Sequence, residues 1–382
     1  MIKITQWNKS QFSWAVFDWA NQPFFTVVTT FIFAPYFTNV VIGNSVDGQA
    51  TWGLLTAISA GAIAILSPIF GSIADVRGPR KPWVFMFSLV GAISCLGLWY
   101  AKPDENIYLP MLSFALATIA IEIACIFNNA MLPTIVEEKK MGKLSGFAWG
   151  IGYVGGLVPL FLLLFLFVWT DNPLFGLDKS AYEPERFSTI MAGAWLMTFT
   201  IPLLLFTKDV SKSVQKIPTM DVVKFGFSNL TDTIKSVKKY KNVWIFLIAR
   251  SFYNDGILAV TSFAGIYAVA TFNWDITGLG VFAIMVNIVA FFGCLVGGKF
   301  DDIIGSKRTI NIFVIGLIIS LLGVISITNS SVLFGLITFP AKTDGSFMTS
   351  VGEYWFMSFG FLLGFCFGPA QSASRTMMAR IT

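Results

Sequence analysis

Residues 71–81 read G-S-I-A-D-V-R-G-P-R-K, and residues 298–308 read G-K-F-D-D-I-I-G-S-K-R. Both begin with glycine (Gly71, Gly298), place aspartate at +4 (Asp75, Asp302) and a second glycine at +7 (Gly78, Gly305), and carry basic residues at +9 and +10 (Arg80 and Lys81; Lys307 and Arg308). Every mark recurs at one constant offset, which identifies an internal duplication. The spacing has a physical logic. The first glycine permits close approach of two helices. The aspartate follows one helical turn later, and the second glycine supplies the positive φ of a tight reversal. The basic pair favours an anionic membrane surface.

Both stretches are flanked by apolar runs. Of 382 residues, 55% are hydrophobic and 12% charged, against about 25% charged in a soluble domain. Mean hydropathy is +0.72. Runs of about 20 apolar residues are long enough to cross a bilayer. Ten are expected: 12–41, 51–75, 82–101, 107–134, 144–169, 188–207, 242–271, 277–300, 306–328 and 352–378. The chain therefore reads as an all-α polytopic membrane protein. The first run is long enough to tilt or bend, with Pro23 and Pro35 inside it. Residues 1–11 are polar and no cleavable leader is evident, so this run reads as a spanning helix.

The 26 Lys and Arg are distributed very unevenly. All but Lys102, Lys179, Arg186, Lys342 and the intramembrane Arg250 fall on the termini and alternate loops of one side. Positive charge marks the cytoplasmic face, so both ends are expected inside. The longest inner connection, 208–241, is lysine-rich. Its Val223, Phe227, Leu230, Ile234 and Val237 form one helical stripe, expected to lie on the inner membrane surface. It divides the chain into halves at 1–207 and 242–382.

The net charge of +5 is not a nucleic-acid signal, because the basic residues sit between apolar runs. The absence of histidine removes His-based acid–base chemistry, His metal sites and Ser-His-Asp triads. Cys95, Cys125, Cys294 and Cys366 lie in apolar runs, form no CxxC pair and read as inert buried thiols. No Walker loop is present. No metal, cofactor or nucleic acid is expected. The expected partners are a small solute and the lipid bilayer, with the chain acting as a monomer.

Away from the ends of the apolar runs, charges are few: Asp18, Glu122, Arg250 and Asp255, with Arg375 near the end of the tenth run. They occupy the first, fourth, seventh and tenth helices, the first of each group of three. In a bundle of three-helix repeats such helices line one cavity, and charge in hydrocarbon is costly enough to need a cavity or a partner. Asp18 and Arg250 lie at similar depths and are expected to pair, either structurally or as a gate. Asp18, Glu122 and Asp255 are candidates for proton or substrate coupling. Asn21, Asn128, Asn129, Asn254 and Gln371 are polar companions able to bind a zwitterion or to join helices. Arg375 is expected to snorkel toward the interface. The fifth helix carries Gly146, Gly150, Gly152, Gly155, Gly156 and Pro159, and its glycines read as a close-packing face.

The duplicated loop resembles the inner loop of the major facilitator superfamily, found between helices 2 and 3 and between helices 8 and 9. That resemblance implies that Asp75 and Asp302 latch the inner side, with Arg80, Lys81, Lys307 and Arg308 as loop partners. F-D-W-A-N-Q-P-F (17–24), F-N-N-A-M-L-P (127–133), S-G-F-A-W-G-I-G-Y-V-G-G (145–156), A-R-S-F-Y-N-D-G (249–256) and G-P-A-Q-S-A-S-R (368–375) together are similar to the autophagy-linked vacuolar amino-acid effluxers of yeast and their bacterial relatives. The family implies twelve helices and export of small solutes, with amino acids as the type substrate. The chain reaches Thr382 directly after its tenth helix, so it is expected to be a fragment lacking helices 11 and 12. The sequence is read as a proton-coupled secondary transporter in a bacterial inner membrane, with its N-terminus cytoplasmic. A membrane-embedded enzyme or a non-transporting receptor or scaffold is the alternative.

Overall fold

The computed structural model describes residues 7–209, 241–274, 276–342 and 347–381. The expected amphipathic helix of the 208–241 connection lies outside them. Ten helices among the described residues are long and apolar enough to cross a membrane. They are α1 (Lys9–Val41), α2 (Ser45–Arg77), α3 (Lys81–Gly97), α4 (Tyr108–Ala130), α5 (Met141–Leu163), α6 (Glu183–Phe206), α7 (Lys241–Phe272), α8 (Ile276–Ile304), α9 (Ser306–Ile325) and α10 (Val351–Ile381). All ten expected spans are present. A two-stranded hairpin, β1 (Ser331–Val332) with β2 (Ile337–Thr338), lies between α9 and α10.

The first helix starts with a capping box: Asn8 accepts the Gln11 amide, and the Gln11 side chain accepts the Asn8 amide. The winding then changes at Pro23. Phe24–Phe31 and Phe37–Val41 are π-helical, separated by one α turn at Phe33–Tyr36. Proline removes an N–H from the α ladder, and the hydroxyls of Thr29 and Thr30 both bond the Phe25 carbonyl, at 2.7 and 2.8 Å. The bend expected from Pro23 and Pro35 is thus a change of helix type. The C-terminal continuation of α5, Leu164–Val168, is also π-helical. It shares an apolar cluster with α1 through Val27, Leu163 and Phe167.

The chain forms two compact units: Met1–Glu137 with Val154–Ser236, and Glu138–Tyr153 with Val237–Thr382. The first is organised around an aromatic core that includes Phe17, Phe24, Phe33, Phe37 and Phe127. Its Trp14 is fully buried and donates its indole N–H to the Asn128 carbonyl at 2.7 Å. Gly155 and Gly156 lie against α1: a β-carbon on Gly155 would stand 2.8 Å from the Trp19 backbone, and one on Gly156 would overlap the Thr26 hydroxyl. The second unit places the start of α5 among α8 and α10. A β-carbon on Gly146 would overlap the Cys294 carbonyl, and one on Gly150 would stand 3.2 Å from the Phe291 ring. The close-packing role expected of the α5 glycines therefore holds in both units. Large apolar side chains such as Ile65, Phe252, Ile303 and Leu205 face outward, as a lipid-facing surface requires.

Candidate functional site: the duplicated loop and the intramembrane polar residues

The second copy of the loop is a densely bonded polar region. Gly298 on α8 abuts α5, where an added β-carbon would stand 2.6 Å from the Gly142 carbonyl oxygen. One turn later the Asp302 carboxylate accepts the amides of Gly142 (2.8 Å) and Lys143 (3.1 Å). Those are unsatisfied N–H groups of the first turn of α5, and a carboxylate there also complements the helix dipole. Gly305 turns the chain with φ 85°. Asp301, the preceding residue, is 1% exposed. It accepts Ser306 Oγ at 2.6 Å, Arg380 Nη1 at 2.6 Å and the Thr376 hydroxyl. Arg380 also reaches Asp302 at 3.6 Å and the Glu138 carbonyl at 3.1 Å. A cleft of about 400 Å³ opens beside this cluster.

This arrangement revises the expected partners. Lys307 and Arg308 stand exposed, while Arg380 and the α5 amides face Asp302. Asp301, Thr376 and Arg380 were not foreseen as site residues. The adjacent Asp301-Asp302 pair was visible in the sequence, but it gave no indication which of the two turns inward.

The first copy differs. Gly78 reverses the chain with φ 86°, as expected. At Gly71, by contrast, a β-carbon would meet no atom within 4 Å among the described residues, so no close helix approach is seen there among them. The Asp75 side chain lies outside the described residues. The start of α3 is capped by Asp209, which accepts the amides of Arg80 (2.9 Å) and Lys81 (2.8 Å). Lys81 Nζ donates to the Leu204 carbonyl at 2.9 Å.

Among the intramembrane candidates of the first unit, Asp18 and Glu122 are half-buried. Asn21 is buried and donates its amide to the Phe17 carbonyl of its own helix at 2.8 Å. Asn129 is half-buried, whereas Asn128 is 1% exposed and neither polar atom of its side chain has a partner among the described residues. In the second unit, Gln371 Nε2 donates to Asn254 Oδ1 at 2.7 Å, which brings those two candidates together. The Tyr253 hydroxyl meets Ser374 Oγ beside them. Asp255 is exposed and Arg250 half-buried. A groove of about 910 Å³ between α7, α9 and α10 is lined mainly by apolar side chains such as Phe252, Val260 and Leu317. Neither Asp255 nor Arg250 lines it.

Arg375 does not snorkel. It is buried; its Nε donates to Ser145 Oγ at 2.9 Å and its Nη2 to the Ser145 carbonyl at 2.8 Å. Ser145 Oγ in turn donates to the Ser372 carbonyl at 2.9 Å. A small hydroxyl residue on α5 gives the guanidinium two acceptors, so it has no need to reach the interface.

At the opposite pole Glu353 is fully buried. It accepts Lys342 Nζ at 2.6 Å, Trp274 Nε1 at 2.5 Å and the amides of Met348, Thr349 and Ser350. The Ser350 hydroxyl accepts the Glu353 amide at 3.3 Å, completing a capping box. In the first unit, Arg186 is buried over the Trp99 ring at 4.6 Å and donates to the carbonyls of Trp99 and Ala181, both at 3.1 Å. Lys342 and Arg186 were legible only as loop charges.

Ten spans and a duplicated turn frame a polytopic membrane protein, and its relatives identify it as a transporter of the major facilitator type. The chain belongs to the family described as vacuole effluxer Atg22 like, whose model matches residues 38–382. It is 27% identical over 305 residues to YxiO, an uncharacterized MFS-type transporter of Bacillus subtilis, with 79% of this chain and 68% of that protein covered. It is 24% identical over 197 residues to autophagy-related protein 22 of Yarrowia lipolytica, covering 47% of this chain and 31% of that protein. The chain thus spans less than a third of the fungal relative. In fold it is similar to the proton:xylose symporter XylE (TM-score 0.59, 12% identity, 97% of this chain and 81% of that one). It is also similar to a bacterial homologue of the iron transporter ferroportin (TM-score 0.58, 12% identity, 100% and 85%).

Proposed function

We propose that this chain exports a small solute, of which amino acids are the first class to test, by proton-coupled alternating access. The halves 1–207 and 242–382 are the moving bodies, and 208–241 is the inner linker. The chain acts as a monomer in a bacterial inner membrane with its N-terminus cytoplasmic. The observation that carries this reading is the engagement of Asp302 with the first amides of α5. A cap that reaches from one helix to the start of another is a latch that makes or breaks as a unit. Membership of an effluxer family and the bias of Lys and Arg to one side support the direction and the orientation.

One of Asp18, Glu122 and Asp255 supplies the coupling carboxylate, with Asn21, Asn128, Asn129, Asn254 and Gln371 as the polar lining and Arg250 as the counter-charge of one state. The test is accumulation of a carbon-14-labelled amino-acid mixture by everted vesicles under an imposed pH gradient. Asp18→Asn, Glu122→Gln and Asp255→Asn are expected to lower gradient-driven uptake, at least one of them to the level of empty vesicles. Undiminished, still gradient-driven uptake in all three would remove the carboxylates from the mechanism. Tight amino-acid binding with no flux would favour a receptor.

A further inference from the structure

Two buried donors on the inner part of α5 lack acceptors. The indole Nε1 of Trp149 and the hydroxyl of Tyr153 are inaccessible and have no hydrogen-bond partner among the described residues. Buried polar groups in native proteins are nearly all satisfied, so each exception asks for an explanation. These two share one face. Ser145, Trp149 and Tyr153 follow at intervals of four residues, the spacing that aligns side chains along a helix. The Trp149 and Tyr153 rings lie 6.4 Å apart, and the Phe367 ring of α10 lies 6.3 Å from Tyr153. The Arg375 guanidinium stands 6.0 Å from the Trp149 ring. Gly368 lets α10 close on this face: a β-carbon there would stand 3.1 Å from the Tyr153 ring and overlap the Cys294 sulfur.

The chemistry of the partner follows from the donors. An indole N–H only donates, so whatever meets Trp149 must accept. A phenol hydroxyl donates equally well, and the nearby guanidinium favours negative charge. Two donors and a cation on one aromatic-walled face suit an oxyanion with two acceptor atoms. We propose that Trp149 and Tyr153 bind the carboxylate end of the transported solute, with Arg375 as the positive charge that selects it. This rests on the transporter reading and narrows its substrate class to carboxylates. The site uses residues of α5 and α10 that are not among the α1, α4 and α7 candidates above. It also explains two orphan donors that packing alone leaves unaccounted for.

The test separates binding from packing. Removing an orphan hydroxyl stabilises the free protein, because a desolvated group with no partner is lost. Removing a ligand contact weakens binding. The detergent-purified chain is heated alone and with glycine, L-leucine, L-glutamate, acetate, succinate or the uncharged control glucose. At least one carboxylate, and not glucose, is expected to raise Tm. Tyr153→Phe is expected to raise the Tm of the free protein and to lose most of the carboxylate-induced rise. Trp149→Phe tests the second donor and is expected to lose the same rise. If none of the carboxylates shifts the unaltered protein, or both variants keep the full shift, the site is wrong. The second result, with Tyr153→Phe stabilised, would identify a hydration site only. Carboxylate binding without flux in liposomes would leave the site standing and overturn the transporter reading. Flux indifferent to both substitutions would do the reverse.

Discussion

The two copies of the loop share five residue marks and one turn, yet they bear different loads. Gly78 and Gly305 adopt nearly the same φ, 86° and 85°, because a tight reversal after a helix needs a left-handed residue whatever surrounds it. The leading glycines diverge. Gly298 is pressed against the α5 backbone, whereas a β-carbon on Gly71 would meet no atom within 4 Å among the described residues. Two aspartates cap helix starts near these loops: Asp302, inside the second motif, caps α5, and Asp209, outside the first motif, caps α3. A repeated pattern therefore fixes the local turn, and the neighbours decide which of its residues carry contacts.

The largest effect expected from breaking this asymmetry is at Asp301, which has no acidic counterpart in the first copy, where Ala74 precedes Asp75. Asp301→Ala leaves Arg380 without its closest carboxylate. Breaking one side of a buried pair costs about 3–5 kcal/mol, so the Tm of the purified protein should fall sharply. An unchanged Tm would mean the cluster is not a stabilising centre.

Next come the leading glycines. Gly298→Val forces a side chain into the Gly142 backbone and should cost about 1–3 kcal/mol or more. Gly71→Val should stay within about 0.5 kcal/mol. Equal Tm shifts for the pair would erase the proposed difference between the copies. Gly78→Ala and Gly305→Ala should behave alike, each losing about 1–2 kcal/mol from the left-handed penalty. Clearly unequal losses would show that tertiary context, not the turn, sets the requirement.

The smallest stability effects are at the caps. Asp302→Asn and Asp209→Asn each keep a side-chain acceptor and lose the charge, so each should cost less than the ~1 kcal/mol typical of losing a cap. Function sharpens the contrast. Loss of the Asp302 charge should reduce solute flux well beyond its effect on Tm, and loss of the Asp209 charge should not. Equal flux in the two variants would show that the second copy is no more a latch than the first.

Much of the architecture was legible in the chain. The ten spans, the duplicated turn and the packing role of the α5 glycines follow from local composition and spacing. Arg375 was misread because its rescue depends on Ser145, which is 230 positions away in sequence. The ion pair of Lys342 was not legible because the groups that enclose it, Glu353, Trp274 and three backbone amides, come from separate segments. The π winding after Pro23 escaped notice because proline signals an interruption of the ladder without saying whether the helix bends or rewinds.

By itself the sequence determined where the chain enters and leaves a membrane, which side carries positive charge, and where the chain must turn through glycine. These are properties of short windows, set by transfer free energy and backbone sterics, and they hold whatever the neighbours. Only the tertiary structure decided which carboxylate meets which amide, which glycine is crowded, and which charges are buried. Those outcomes depend on which helix faces approach within bonding distance. No single segment carries that information, because hydrogen-bond and contact energies fall away within a few ångströms.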